Sequence, residues 1–138
     1  MNIVVDTSVW SLALRRRRAS ATSTPEAVEL AELVREGRAV VIGPVRQELL
    51  SGISDARQFE IVREALGAFP DLSLVAEDYE TAATFFNQCR AKGIQGSNTD
   101  FLIVAVAARR KLGVLTTDAD FVRFAKLLPL ALHAPRAA

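Results

Sequence analysis

The sequence is poor in cysteine and histidine, and this scarcity excludes several kinds of site. Its 138 residues include one cysteine, Cys89, and one histidine, His133. A single cysteine can form neither an internal disulfide nor a cysteine-based zinc cluster, so we expect Cys89 to be a packing residue within a helix. A single histidine excludes a histidine-rich metal site, and a Ser-His-Asp triad would depend on a residue close to the C-terminus.

The net charge is also small, and the hydrophobic runs are short. The formal net charge is +1, so bulk charge predicts no nucleic-acid partner, and any such binding must come from local patches. The longest apolar run, residues 101–108, is too short to span a bilayer, and no signal-peptide pattern is visible. We therefore expect a cytoplasmic protein. No glycine-rich phosphate loop is present, which argues against a nucleotide cofactor.

Short apolar strands alternate with helical segments along the chain. The strands are predicted at residues 2–5, 39–42, 72–75 and 114–116, with a weak last strand at 127–132. Pro129 inside the last strand indicates a sheet edge. This alternation predicts an α/β fold in one domain, residues 1–133, with a mostly parallel sheet of about five strands and helices on both faces. Residues 134–138 are expected to form a loose tail.

The segment 97–112 fits two interpretations. The β-branched residues in its apolar run are typical of a strand. Its length, its alanines, the polar cap at its start and the basic residues Arg109, Arg110 and Lys111 before Gly113 favour a helix. Because this segment is apolar nearly all round, we expect a buried central helix that the basic residues end.

Four acids lie beside strongly apolar sequence, where an uncompensated charge is costly. Asp6 and Asp118 follow predicted strands, so parallel strands would bring both to the same sheet edge. Glu48 borders the apolar side of a short helix, and Asp100 opens the buried helix. Asp120 is a possible fifth member of the group.

Together these acids predict a divalent metal site. Two carboxylates about 5 Å apart at an effective dielectric of about 20 repel each other by roughly 3 kcal/mol. Mg²⁺ or Mn²⁺ relieves this repulsion through oxygen ligation and supports displacement at phosphorus. A plainer interpretation stays open for each acid: Asp6 and Asp118 could cap helices, Asp100 could stabilise a helix start, and Glu48 and Asp120 could be surface residues.

Four short motifs, in order along the chain, resemble those of PIN-domain ribonucleases. They are VDTSVW at residues 5–10, QELLSG at 47–52, TDFLIVA at 99–105 and TTDADF at 116–121. Each motif alone is weak, but four in order over nearly the whole chain are specific. The compact size and the DTSVW-type start look most like the VapC toxins of bacterial VapBC toxin-antitoxin pairs.

The resemblance implies a Mg²⁺- or Mn²⁺-dependent endoribonuclease, a hydrolase that cleaves RNA phosphodiesters with metal-activated water. Asp6, Glu48, Asp100 and Asp118 would hold the metal and be catalytic, and Asp120 would assist. The hydroxyl residues that would support these acids or bind a phosphate are Thr7, Ser8, Thr116 and Thr117. The implied partners are RNA, a second copy in a homodimer, and an inhibitory VapB-like antitoxin.

Four adjacent arginines form the strongest basic patch. Arg15, Arg16, Arg17 and Arg18 could bind RNA phosphates, or they could simply end a helix favourably and aid solubility.

Three other functions remain open at this point. The chain could be a housekeeping PIN-fold nuclease of RNA maturation, or an inactive α/β binding module whose acids only cap helices. It could also be a phospho-acceptor receiver domain or a phosphatase. Asp6 lacks the adjacent acid that a receiver requires, so the receiver interpretation is poor.

Overall fold

Three short strands and seven helices make up the part of the chain that the computed structural model describes, residues 1–14 and 24–136. The strands are β1 (Ile3–Val5), β2 (Ala39–Val40) and β3 (Gly113–Leu115). The helices are α1 (Thr7–Leu14), α2 (Pro25–Arg35), α3 (Gly43–Ser51), α4 (Ala56–Leu66), α5 (Ala76–Ala91), α6 (Asn98–Arg110) and α7 (Asp120–Leu127). The predicted α/β class and parallel sheet are confirmed.

The sheet has the order β2-β1-β3, and both pairings are parallel. β1 is the central strand, and Val5, its last residue, pairs with Leu115 of β3. Every residue of β1 and β3 is buried, as expected for strands covered on both faces. The chain segments that follow β1 and β3 therefore leave the sheet side by side.

The prediction of about five strands is wrong for the described residues. The expected strand at 72–75 does not form, and an isolated bridge joins Val41 to Asp71, the residue just before it. The expected strand at 127–132 is reduced to a bridge between Val114 and Leu132, because α7 continues to Leu127. Pro129 lies between that helix and the bridge and has no N–H to give to a ladder, which leaves little room for a longer strand.

Helix starts follow the local signals in the sequence. The Thr24 hydroxyl accepts a hydrogen bond from the Ala27 N–H at 3.2 Å, and Pro25 occupies the first turn of α2. The helical interpretation of residues 97–112 is confirmed by α6, in which residues 101–107 are all buried. Cys89 packs in the core as expected. No helix in the described ranges is long and apolar enough to cross a bilayer.

A buried acid joins the start of α5 to the end of α6. Asp78 is fully buried and accepts hydrogen bonds from the Val75 N–H at 2.9 Å, from Arg110 at 2.7 Å, and from Arg109. Burial opposes its charge, but these donors outweigh that effect and hold the pKa of Asp78 below its ordinary value. Arg109 and Arg110 therefore do more than end α6, since they neutralise a charge in the core.

A second buried acid binds the C-terminal segment to α2. Glu29 is 2% exposed and pairs with the His133 ring, while the Arg136 side chain donates to Glu29 at 3.0 Å and to Glu36 at 2.7 Å. The expected loose tail covers residues 134–138, of which the structure describes 134–136. In that part, Arg136 is held against α2.

Candidate active site

Asp6 lies at the point where β1 and β3 end together. It directly follows β1, and its N–H donates to the Leu115 carbonyl at 2.9 Å. Its side chain is only 4% exposed. The loop after β3 runs alongside, so the parallel register brings residues 6–8 against residues 116–118.

The Asp6 carboxylate accepts three hydrogen bonds. The Thr7 N–H binds Oδ1 at 2.8 Å, and the Ser8 and Thr116 hydroxyls each bind Oδ2 at 2.8 Å. A carboxylate has about four acceptor positions, so about one stays open. The local sequence supplies two donors from the start of α1, and the third comes from 110 residues further along the chain.

Asp118 is positioned by the same hydroxyl groups. Its N–H donates to Thr116 Oγ1 at 2.9 Å, and the Thr117 N–H donates to Ser8 Oγ at 3.1 Å. Asp118 Oδ1 accepts the Asp120 N–H at 2.9 Å, which starts α7. Among the described residues, Asp118 Oδ2 has no hydrogen-bond donor. This loop is therefore held by bonds that leave one acid oxygen available.

Asp100 is held at the start of α6 by a reciprocal pair of caps. The Ser97 N–H donates to Asp100 Oδ2 at 3.0 Å, and the Asp100 N–H donates to Ser97 Oγ at 3.0 Å. Its Oδ1 receives no hydrogen bond within residues 1–14 and 24–136. Asp100 thus stabilises the start of α6 as predicted, and this role occupies only Oδ2 of its carboxylate.

The three aspartates interact electrostatically. Burial raises the pKa of Asp100 to about 6, and the charges of Asp6 and Asp118 push it in the same direction. Burial also raises the pKa of Asp6; its hydrogen bonds from Thr116, Ser8 and Thr7 oppose the rise, and the charge of Asp118 adds to it. Asp6, Asp100 and Asp118, which come from three separate segments, therefore share one region of negative potential.

The other predicted site residues are placed differently. Glu48 is exposed on α3, and it is not among the charges that chiefly shift the pKa of Asp6 or Asp100. Asp120 forms an ion pair with Arg123. The basic patch, Arg15 to Arg18, lies outside the described residues. The roles of these residues stay predictions.

The open oxygens of the aspartates fit a hard divalent cation. Carboxylate oxygens are the ligands that Mg²⁺ prefers, and the Thr7 hydroxyl beside Asp6 is buried without a partner among the described residues. Among the described residues, no group of three or more histidine, cysteine, aspartate or glutamate side chains is spaced closely enough to enclose a metal ion. A site built from one or two carboxylates and water is the usual arrangement for Mg²⁺, so the donors fit an open site better than a protein cage.

A comparison of the sequence with known protein families identifies the family of this chain. Residues 3–127 match the PIN domain family, which is nearly the whole chain. The chain belongs to the PIN domain family. The resemblance of its four motifs is thereby confirmed. PIN-domain proteins are nucleases and generally use divalent metal ions.

Solved structures of two VapBC proteins, which belong to a family of toxin-antitoxin systems, and of FitAcB share the fold. VapBC2 from Rickettsia felis, bound to a DNA fragment from its promoter, matches with a TM-score of 0.74 and 17% identity, covering 96% of this chain and 98% of that one. FitAcB from Neisseria gonorrhoeae matches with a TM-score of 0.73, 20% identity and 99% coverage of both chains. VapBC-5 from Mycobacterium tuberculosis matches with a TM-score of 0.68 and 19% identity, covering 96% of this chain and 98% of that one. No curated protein sequence matched.

Sequence reasoning missed two buried acids that lie outside the candidate active site. Glu29 stands between apolar residues on the inner side of α2, and an acid in an apolar stripe was the available signal. Asp78 occupies the first turn of α5, where an acid is ordinary, so its burial gave no signal in the sequence. For the site hydroxyls, the sequence offered four candidates, and the structure assigns the bonds to the Asp6 carboxylate to Ser8 and Thr116.

Proposed function

We propose that this protein is a metal-dependent endoribonuclease and acts as the toxin of a type II toxin-antitoxin pair. The observation that carries the proposal is the convergence of Asp6, Asp100 and Asp118 in a PIN-family fold, where the charges of Asp6 and Asp118 both raise the pKa of Asp100. Asp100 and Asp118 each accept one helix-start N–H, but Asp100 Oδ1 and Asp118 Oδ2 accept no hydrogen bond from any described residue, so capping does not account for both oxygens of either acid. The inactive-module interpretation is therefore the weaker one.

In this proposal Asp6, Asp100 and Asp118 hold Mg²⁺ or Mn²⁺, and Glu48 and Asp120 are further ligands or assisting groups. A bound cation of this kind neutralises charge on a phosphodiester and lowers the pKa of water. The chain contributes orientation: Ser8 and Thr116 fix the Asp6 carboxylate, and Ser97 fixes that of Asp100. Prepositioned charges of this sort avoid reorganisation during the reaction.

The proposed partners are RNA, a VapB-like antitoxin, and a second copy of the chain in a homodimer. The similarity to toxin-antitoxin complexes supports the antitoxin. A small gene directly beside this one, whose product co-purifies with this chain and inhibits it, would support the toxin role. A chain encoded without such a neighbour would favour housekeeping RNA maturation.

The decisive test is cleavage of a total RNA pool by the purified, antitoxin-free chain with Mg²⁺, with Mn²⁺ and with EDTA. We expect cleavage with either metal and none with EDTA. Asp6→Asn should lower the cleavage rate at least about 100-fold, because the variant loses a charged ligand and keeps the shape of the side chain.

Asp55→Asn is the matched control. Asp55 caps α4 through the Gln58 N–H at 2.8 Å, and asparagine is an equally good capping residue. This variant should cleave RNA at the rate of the unmodified chain. Full activity in folded Asp6→Asn protein would contradict the proposed site, and a folded chain that cleaves no RNA under any condition would contradict the proposed function.

A further inference from the structure

A groove of about 430 Å³ begins at the candidate active site and extends to the C-terminal segment. Its lining includes Thr117, Asp118, Val122, Leu132, His133 and Glu26. Asp118 belongs to both the groove and the group of three aspartates. If a ligand binds with a phosphate at the three aspartates, the chemical group next to that phosphate would therefore lie in the groove.

Aliphatic side chains form part of an otherwise polar groove wall, and the C-terminal side of that wall is well fixed. Val122 is 53% exposed and Leu132 is 39% exposed, although both are aliphatic. The C-terminal wall is bound to β3, because the Val114 N–H donates to the Ala131 carbonyl at 3.0 Å and the His133 N–H donates to the Val114 carbonyl at 2.8 Å. The groove is thus a preformed space that would not need to order on binding.

Charge in the groove is negative. Glu26 and Asp118 line it, and none of its lining residues is a lysine or an arginine within the described ranges. The Glu26 side chain forms no ion pair or hydrogen bond with any described residue. Glu26 lies away from the three aspartates proposed to hold the metal, and no described lysine or arginine lines the groove with it, so its end of the groove disfavours a phosphate and favours a flat, uncharged group that donates hydrogen bonds.

We propose that the groove binds a nucleobase of the RNA next to the cleaved bond, and that Glu26 selects bases that carry an exocyclic amino group. Cytosine presents an amino donor to a carboxylate, whereas uracil presents a carbonyl oxygen at the same position. Val122 and Leu132 contact the faces of the base. This inference rests on the proposed function, because it takes the ligand to be RNA.

The test measures binding of two fluorescein-labelled oligoribonucleotides, eight cytidines or eight uridines, by fluorescence anisotropy with Mg²⁺ present. The full chain carries Asp100→Asn so that the RNA is not cleaved. We expect the cytidine oligomer to bind about tenfold more tightly than the uridine oligomer. Glu26→Gln should reduce this ratio to about two or less, since an amide can donate to the uracil oxygen.

Two control variants separate the groove from general effects of charge. Glu64→Gln removes an exposed glutamate of α4 that does not line the groove, and it should leave the tenfold ratio unchanged. Val122→Asp should weaken the binding of both oligomers about tenfold, whereas Ile61→Asp, at an aliphatic residue of α4 that is 39% exposed, should not. Thermal unfolding of each variant verifies that it is folded.

Failure of the groove proposal and failure of the proposed function give different results. If the unmodified chain cleaves RNA but Glu26→Gln leaves the ratio unchanged, the groove proposal falls alone. If the unmodified chain cleaves no RNA and neither oligomer binds, both proposals fall. A ratio that collapses in Glu26→Gln and not in Glu64→Gln supports base selection by Glu26.

Discussion

The Asp6 and Asp100 carboxylates are both partly or fully removed from water, but their surroundings differ. Asp6 accepts three hydrogen bonds that offset the cost of burial. Asp100 accepts one, from the Ser97 N–H, and its pKa rises to about 6. At the scale of the residue, Asp100 is therefore the less compensated of these two carboxylates.

This difference predicts how Asp100→Asn changes stability in EDTA. A folded pKa raised from 3.8 to about 6 favours the protonated acid, so its stabilising contribution is present below pH 3.8 and is lost as the pH rises through 6. The neutral asparagine avoids that loss. We expect the variant to be more stable than the unmodified chain by about 1 kcal/mol at pH 7.5, a figure reduced for partial exposure, and no more stable at pH 4.

Thermal unfolding at the two pH values measures this effect. Glu64→Gln serves as the comparison, because Glu64 is exposed and its replacement should change stability little at either pH. A variant that is less stable than the unmodified chain at pH 7.5 would show that the Asp100 charge is compensated after all.

The start of α6 depends on a close approach of backbone to aromatic rings. A Cβ added at Gly96 would lie 2.6 Å from Phe124 Cζ and 2.9 Å from Phe101 Cε2. The rings of Phe101 and Phe124 are themselves packed, with centroids 4.9 Å apart. At the scale of the element, this glycine lets α6 begin directly against α7, one residue before the Ser97 cap.

We predict that Gly96→Ala destabilises the chain by about 1–3 kcal/mol, because the new methyl group overpacks the core where the rings cannot move freely. Chemical denaturation measures the change. In the double variant Gly96→Ala/Phe124→Leu, the smaller side chain gives the methyl group space, so the loss should be less than the sum of the two single losses. Strictly additive losses would mean that the contact with Phe124 is not the cause.

The C-terminal segment forms one wall of the groove, and at the scale of the whole molecule its position depends on Glu29. Burial alone would raise the pKa of Glu29, but the His133 ring and Arg136 outweigh that effect and lower it. Its stabilising contribution is therefore present above the ordinary value of 4.5 and is lost as the pH falls through the lowered folded value. The acid joins α2 to residues 133–136, which are about a hundred residues away in sequence.

Glu29→Gln should destabilise the chain by about 1–3 kcal/mol at pH 7, because charged hydrogen bonds at a buried position become neutral ones. The deficit relative to the unmodified chain should shrink as the pH falls below 4.5. Thermal unfolding between pH 3 and pH 7 measures both effects.

Glu32→Gln, on the same helix, is the control. Glu32 is half-exposed and, among the described residues, its side chain pairs with Arg35 alone, so its loss should matter little. If both substitutions reduced stability equally, burial would not make the ion pairs of Glu29 more stabilising than a surface pair.

The sequence by itself determined the α/β class, the buried helix within residues 97–112 and the order of the acids. These features depend on signals within a few residues: the cap at Thr24, proline at the start of α2, and the apolar run that makes α6 a buried helix. Family membership followed from the same local motifs, since each acid occurs in its own short stretch of chain.

Only the tertiary structure decided which side chains meet. The number of strands, the bonds from Ser8 and Thr116 to Asp6, and the pairing of Glu29 with His133 depend on segments far apart in sequence. No local pattern encodes such distances, because they are set by the register of the parallel strands and by how the helices pack on them. For the same reason, a glutamate predicted at the site, Glu48, is exposed on α3, and a groove beside Asp118 became visible only in the fold.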